Sequence, residues 1–226
     1  MDKEQIQSAI SKAKDTSEKR NFRQSFDLII NLKGLDLKKP EHQVEAFVTL
    51  PHARGKKVSV CALVGAELES QAKGIFDSVI SSDNFEKYKD KREVKKIANS
   101  FDFFIAQANI MPKVATTFGR VLGPRGKMPN PKSGAVVPPN ANLKPLYEKF
   151  QRTVKASAKT APLIQCSIGT EDMNGDDIAE NALTVYNSLI QVLPNEKHNI
   201  RDIYVKLTMG KPVKVGEKLE VTNETK

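Results

Sequence analysis

The sequence predicts a protein of mixed class, α+β and α/β, with two domains. A discontinuous α+β domain is expected from residues 1–64 and 157–226, and an inserted Rossmann-like three-layer βαβ domain from residues 65–156. The 226 residues suffice for two domains of about 100 residues each. The hydrophobic content of 39% is enough for a normal buried core. The outer segments alternate apolar and polar residues as strands do, whereas the middle alternates helices and strands.

The N-terminal segment is predicted to begin with a helix, because Ile6, Ala9, Ile10 and Ala13 recur at helical spacing. FDLIINLKGLDL and QVEAFVTL then alternate like strands, and the turn-forming LKKPEH between them predicts a hairpin. The nearly continuous apolar run in KKVSVCALVG indicates a strand buried on both faces, as in a parallel sheet.

The middle segment alternates predicted helices and strands, as a βαβ fold does. A helix over ELESQAKG is followed by a strand over DSVISS, a charged helix over NFEKYKDKREVKKIANS and a strand over FDFFIAQ. NIMPKVATTFGRVL is predicted as a helix with Pro112 near its first turn, where a missing amide is tolerated. This alternation predicts a parallel sheet with helices packed on it.

The C-terminal segment returns to the α+β style. PLIQCSIG reads as a strand, and the helix after it starts at Asp176 and Asp177 and closes at Pro194. Its apolar face consists of Ile178, Ala182, Val185 and Leu189. IRDIYVKLT is predicted as the last long strand, and the polar NETK ends the chain.

The residue pattern predicts no catalytic site, metal site or cofactor. His42, His52 and His198 are scattered, none of them near a nucleophile in the sequence. Cys61 and Cys166 lie in apolar runs with no CxxC and no His at ligand spacing, so they are predicted as buried thiols. The N-terminus is polar and no stretch of about 18 apolar residues occurs, which predicts a cytosolic protein without a membrane span.

Positive charge is concentrated in one part of the chain. The chain has a net charge of +9, and residues 111–160 account for all of it, since they contain ten Lys or Arg and one acidic residue, Glu148. Such asymmetry favours a polyanionic partner, although a solvated basic face is the simpler alternative. Residues 122–134, LGPRGKMPNPKSG, form a predicted rigid loop in which Arg125, Lys127 and Lys132 supply charge.

Two alternative functions remain open on the residues alone. A nucleotide-dependent enzyme could use the middle βαβ domain, but the basic loop follows a helix and lacks the P-loop pattern, and no GxGxxG follows KKVSVCALVG. A general basic module would bind any polyanion. Phe22, among Lys19, Arg20 and Arg23, is either a stacking residue or part of the core.

Three separated motifs resemble one known family. SFDLIINLKGLDLKKPEHQVEAFVTLPHARGK at 25–56, LGPRGKMPNPKSG at 122–134 and IYVKLTMGKPV at 203–213 together resemble the ribosomal protein L1 family. The three motifs occur in the family's order and span essentially the whole chain, and their residues are most similar to those of the archaeal-type branch. The resemblance implies the discontinuous first domain and the inserted second domain.

The resemblance also implies a function. Members of this family are not enzymes; they bind 23S-type ribosomal RNA of the large subunit at the mobile stalk near the exit tRNA site. It implies help in releasing deacylated tRNA, repression of the protein's own messenger RNA, and a cytoplasmic, ribosomal location. The chain is expected to be a monomer when free and to have no membrane partner.

The resemblance places the specific RNA-binding surface on the discontinuous domain. By motif position, the implied contacts are Phe22, Ser25, Asp27, Lys155, Ser157, Lys159, Gln165, Thr208, Met209 and Gly210. Where bacterial-type members carry KTGxxH, this chain reads AKTAPLIQ, so Gln165 is expected to take the place of that His. Arg125, Lys127 and Lys132 are implied as secondary contacts to phosphate.

Overall fold

The computed structural model describes residues 2–39, 42–88 and 90–216. The predicted polar tail at 223–226 and part of the LKKPEH connection lie outside the described residues. Within them, helices combine with parallel and antiparallel sheets, which confirms the mixed class. Contacts divide the chain into Met1–Lys56 with Arg152–Lys226, here called the terminal unit, and Lys57–Gln151, here called the central unit.

The described residues form six α-helices and ten β-strands. The helices are α1 (Lys3–Asp15), α2 (Ala66–Lys73), α3 (Lys91–Ser100), α4 (Met111–Leu122), α5 (Leu143–Arg152) and α6 (Gly175–Val192). The strands are β1 (Ser25–Leu32), β2 (Val44–Thr49), β3 (Val60–Val64), β4 (Ser78–Ser81), β5 (Phe103–Gln107), β6 (Val136–Val137), β7 (Thr153–Ala158), β8 (Leu163–Thr170), β9 (Ile200–Leu207) and β10 (Val213–Lys214).

The terminal unit contains an antiparallel sheet with the order β10-β9-β1-β8 and a separate pair of strands, β2 and β7. β1 lies between β8 and β9, so that Asp27 faces Ser167 on one side and Lys206 on the other. The predicted hairpin between β1 and β2 is therefore wrong. Strands from the C-terminal segment take both edges of β1, which leaves β2 to pair with β7.

One continuous core holds the terminal unit together. Alternate residues of β1, from Phe26 to Leu32, are buried against α1 and α6. The predicted apolar faces of both helices are buried in this core, which includes Ile6 and Ile10 of α1 and the predicted face of α6. The opposite face of β1 is only half-buried and carries polar side chains. The sheet therefore has one face that is buried in the core and one that is partly accessible to solvent.

The central unit contains a parallel sheet with the order β4-β3-β5-β6. β3 is central, and all five of its residues are buried, as predicted. Helices cover both faces: side chains of α3 and α4 pack with Cys61 and Leu63, and side chains of α2 and α5 pack with Val60, Ala62 and Val64. The helix predicted over NFEKYKDKREVKKIANS is a 3-10 helix followed by α3, with Asp90 accepting a hydrogen bond from the Arg92 amide.

The unit boundaries differ from the predicted ones. The predicted boundary at 64/65 places β3 in the first domain, but β3 pairs with β4 and β5 of the central unit. The other predicted boundary, at 156/157, would cut through β7, which pairs with β2 along its whole length. The contact units divide at 56/57 and 151/152, each a few residues before the predicted domain boundary.

Gly55, in the PHARGK motif, has a backbone conformation that favours glycine. Its φ is +76°, and an added Cβ would lie 2.3 Å from Oγ1 of the buried Thr170. Its carbonyl oxygen accepts a hydrogen bond from Nη2 of Arg23 at 3.1 Å. Gly55 thus lets the loop after β2 pass close to the end of β8.

We expect Gly55→Ala to lower the free energy of unfolding by about 1–3 kcal/mol, because the new methyl group meets Thr170 in a strained backbone conformation. Urea denaturation measures this change. Gly175→Ala is the matched control, since its Cβ meets nothing within 4 Å and its φ is not positive. An equal loss of stability in both variants would contradict the steric explanation.

Candidate nucleic-acid interface

The ends of β1 and β9 are joined by a side chain. The Thr208 hydroxyl accepts a hydrogen bond from the Ser25 amide at 3.0 Å and donates one to the Ser25 carbonyl at 3.2 Å. The structure thus brings the two predicted contacts Ser25 and Thr208 together. Because both of its hydrogen bonds are with the Ser25 backbone, the Thr208 hydroxyl joins the end of β9 to the start of β1.

Two large apolar side chains are exposed beside this strand end. Phe22 is 50% exposed and Met209 is 62% exposed. The Met209 amide donates a hydrogen bond at 3.1 Å to Oε1 of Gln24, which is two residues after Phe22. Gly210 turns the chain here, and a Cβ on it would lie 3.1 Å from Oγ of Ser17. Met209 therefore lies in a turn whose backbone is bonded to Gln24, two residues after the exposed Phe22.

The half-buried face of the sheet, here called the open face, presents polar groups in rows. Asp27 lies between Ser167 and Lys206, and Ile29 lies between Gln165 and Tyr204. Burial raises the pKa of the Asp27 carboxyl, although the charge of Lys206 opposes that effect. The predicted contacts Ser25, Asp27 and Gln165 thus share one face, together with Lys206 and Tyr204, which the sequence analysis did not select.

The other predicted contacts of this unit lie on the two-stranded sheet. Lys155 and Lys159 both form ion pairs with Glu45, at 2.9 and 2.8 Å, and Ser157 lies opposite Glu45 in the strand pairing. Burial acts to raise the pKa of Glu45, but the hydrogen bonds from Lys159 and Lys155 outweigh it and lower the pKa. The Lys155 ammonium also lies 5.7 Å from the centre of the Phe47 ring.

The basic loop at 122–134 belongs to the central unit. Lys127 Nζ donates hydrogen bonds to the carbonyls of Ala98 and Phe101, at 2.9 and 2.7 Å, at the C-terminal end of α3. Burial lowers the pKa of Lys127. Arg125 donates to the Asn99 side chain, and the Lys132 amide donates to the side chain of Asn130. Lys127 therefore caps a helix, while Arg125 and Lys132 remain exposed.

The geometry of the central sheet disfavours the nucleotide-dependent enzyme. Open α/β sheets bind ligands beyond the carboxyl ends of their central strands. Here the Gly65 amide donates to Oε1 of Gln107 at 2.8 Å, and Glu67 places a carboxylate in the first turn of α2. The adjacent cavity of about 520 Å³ has no cationic side chain in its lining, which consists of Glu67, Leu68, Gln71, Pro139, Asn140 and Ala141.

Both cysteines are buried, as predicted, and burial raises the pKa of Cys61 and of Cys166 to about 12. Within residues 2–39, 42–88 and 90–216, no three His, Cys, Asp or Glu side chains are grouped so that they could hold a metal ion. None of the helices in this part of the chain is long and apolar enough to cross a membrane.

Gln24 and Glu45 were also not predicted from the sequence. Gln24 is buried although it lies in the charged run SEKRNFRQS, and only its position directly before β1 could have drawn attention to it. Glu45 could have been found, because the alternation in QVEAFVTL places it on the polar face of β2. Its pairing with two lysines depends on β7, which lies more than a hundred residues later.

Comparisons with known proteins agree with the motif resemblance. Residues 12–211 match the model of the Ribosomal protein L1p/L10e family. A protein of Methanothermococcus thermolithotrophicus named large ribosomal subunit protein uL1 is 43% identical over 216 residues, which cover 95% of this chain and 99% of that protein.

Two further relatives carry the same name. The proteins of Methanocaldococcus jannaschii and Thermococcus kodakarensis are 41% and 40% identical over 216 residues, which cover 95% of this chain in each case. The matched region covers 96% of the first protein and 98% of the second. The predicted resemblance to the archaeal-type branch of the family is confirmed.

The pKa shift of Asp27 predicts how stability depends on pH. A folded-state pKa above the unfolded value means that stability is lost as the pH rises through the two values and the buried carboxyl ionises. Asp27→Asn should therefore unfold at a higher denaturant concentration than the unsubstituted protein at pH 7. The difference should vanish when the pH falls below both pKa values.

Asp202→Asn is the matched control on the same face. The hydrogen bond from Lys214, at 2.8 Å, lowers the pKa of Asp202, so this carboxylate stabilises the fold above its unfolded pKa, and that stability is lost as the pH falls through the folded value. Asp202→Asn should therefore lose stability at pH 7. Denaturant titrations from pH 3 to pH 8 measure the change in the free energy of unfolding that each substitution causes. If both substitutions stabilised the protein at pH 7, or both destabilised it, the effect assigned to the burial of Asp27 would be contradicted.

Proposed function

Since this chain belongs to the Ribosomal protein L1p/L10e family, we propose that it is a constituent of the large ribosomal subunit that binds ribosomal RNA at the mobile stalk. Family membership makes it a ribosomal protein, structural rather than enzymatic, which acts at the ribosome. The observation that supports the finer proposal is the pair of exposed side chains Phe22 and Met209 next to the polar open face of the terminal unit.

The chemistry of this surface suits a folded RNA. Proteins do not read RNA bases in the deep major groove; they contact unstacked bases, ribose hydroxyls and phosphates. Phe22 and Met209 offer apolar surface for a base or a ribose, and Gly210 lets the backbone approach closely. Asp27 is a half-buried acceptor suited to a 2′-hydroxyl donor, which DNA lacks.

Cationic side chains beside this surface are suited to binding the phosphate groups of RNA. Lys206 lies on the open face next to Asp27, and its Nζ donates to the Thr208 carbonyl at 3.2 Å. Gln165, on the other side of the face, can donate to or accept from a base edge. Lys155, Ser157 and Lys159 are proposed as contacts on the two-stranded sheet, where a phosphate would compete with Glu45 for the lysines.

The central unit is proposed to add affinity that does not depend on RNA sequence. It carries fifteen Lys or Arg against nine Asp or Glu, and its basic loop exposes Arg125 and Lys132. The resemblance implies Lys127 as a further phosphate contact. Because its ammonium binds the carbonyls at the end of α3, we assign it to the stability of that helix end.

Three further parts of the proposal follow from the family resemblance. The chain assists the release of deacylated tRNA from the exit site, represses translation by binding its own messenger RNA, and is a monomer when free. The messenger would have to present a structure similar to that of the stalk RNA, because the same open face and exposed apolar pair would bind it.

Phe22→Ala should weaken binding to the stalk RNA by roughly 5- to 150-fold, which corresponds to the about 1–3 kcal/mol that stacking of a base on an aromatic side chain contributes. Met209→Ala should also weaken this binding, because it removes exposed apolar surface from the proposed site. The measurement is a dissociation constant for stalk RNA and for a scrambled RNA of equal length. Val192→Ala is the control, because Val192 is 48% exposed on α6 and is not part of the proposed site. Equal affinity of the unsubstituted protein for both RNAs would reject the proposal in favour of a general polyanion binder.

The basic loop gives a second test. Arg125→Ala combined with Lys132→Ala should flatten the salt dependence by roughly two phosphate contacts and leave the preference for stalk RNA intact. Lys127→Ala should instead lower the free energy of unfolding by about 1–3 kcal/mol, since it leaves carbonyls of α3 without their donor. An unchanged salt slope in the double variant would contradict the proposed phosphate contacts.

A further inference from the structure

Gln24 is a buried polar residue in an otherwise exposed part of the chain. Its neighbours Lys19, Arg20, Phe22 and Arg23 are exposed, but only 1% of Gln24 is accessible. Buried amide side chains in folded proteins form hydrogen bonds with their donor and acceptor atoms. The hydrogen-bond partners of Gln24 therefore indicate its structural role.

The hydrogen bonds of Gln24 connect three distant segments. Its Oε1 accepts from the Met209 amide at 3.1 Å, and its Nε2 donates to the Glu18 carbonyl at 3.5 Å. Its backbone amide donates to Oε1 of Glu171, and its carbonyl accepts from the Glu171 amide, both at 3.1 Å. One residue thus joins the segment after α1, the turn between β8 and α6, and the end of β9.

These hydrogen bonds involve residues adjacent to Phe22 and Met209. Phe22 is two residues before Gln24, Ser25 is the next residue, and Met209 is held through its own amide. The relative position of Phe22 and Met209 therefore depends on the Gln24 side chain as well as on the two hydrogen bonds between Thr208 and Ser25. The Gln24 amide supplies both the acceptor that Met209 needs and a donor for the Glu18 carbonyl, and a methionine in its place would supply no such donor.

From these contacts we infer that Gln24 is a positioning residue for RNA recognition, which holds Phe22 and Met209 in the arrangement that binds stalk RNA. Gln24 is too deeply buried to touch the RNA itself. This inference rests on the proposed function. It adds that discrimination between RNAs depends on the geometry of the turn as well as on the exposed side chains.

The test compares Gln24→Met with Asn181→Leu. Asn181 is a second buried amide of the terminal unit; it accepts from the His52 amide at 3.1 Å and donates to the Ile168 carbonyl at 2.8 Å, and it bonds none of the proposed contacts. Both substitutions remove buried hydrogen bonds and should lower stability. Dissociation constants are measured below the melting transition of each variant, for stalk RNA and for scrambled RNA.

We expect Gln24→Met to weaken stalk-RNA binding about tenfold or more and to change scrambled-RNA binding by less than about twofold, because phosphate contacts do not require this turn. Asn181→Leu should keep the preference of the unsubstituted protein. Equal preference in Gln24→Met and the unsubstituted protein would overturn the inference. If Gln24→Met does not fold, Gln24→Asn, whose shorter side chain fails to reach Met209, gives the same comparison.

Amide hydrogen exchange separates this inference from the proposed function. Gln24→Met should accelerate exchange of the Met209 amide while leaving the Gly210 amide, which donates to the Leu207 carbonyl at 3.0 Å, unchanged. Faster exchange together with no RNA preference in the unsubstituted protein would reject the ribosomal-RNA proposal while the structural role stands. Unchanged exchange at Met209 would overturn the positioning role whatever the RNA data show.

Discussion

The pairing of β1 with both β8 and β9 is the interaction on which the terminal unit depends. It inserts an N-terminal strand between two strands of the C-terminal segment. This places Phe26 and its alternate neighbours in the core with α1 and α6, and turns Asp27 toward the opposite face. Closing so long a loop carries an entropic cost that apolar burial must offset. The open face therefore exists only when both ends of the chain have come together.

The same pairing explains why the proposed site sits at a strand end. Where β1 begins and β9 ends, Thr208 ties the two strands through Ser25, and Gln24 holds the turn after β9. The backbone is thus satisfied internally, and Phe22 and Met209 are left to face outward. A rigid support under exposed apolar groups reduces the ordering that binding would otherwise require.

Positive charge has more than one use in this molecule. Lys127 stabilises the end of α3, Lys155 and Lys159 share one carboxylate in Glu45, and Arg125 is exposed in the basic loop. All four belong to the same basic segment of the sequence. A local excess of Lys and Arg therefore indicates a polyanionic partner for the segment as a whole, but it does not identify which cations contact that partner.

By itself the sequence determined the features whose signal is local: the buried face of α6, the fully buried β3, the two buried thiols and, through three separated motifs, the family. Only the tertiary structure decided that β1 pairs with β8 and β9 instead of β2, that Gln24 is buried, and that Lys127 caps a helix. The physical reason is that periodicity reports which face of an element is apolar. It carries no information about which distant strand or carbonyl meets that face, because packing and long-range hydrogen bonds select the partner.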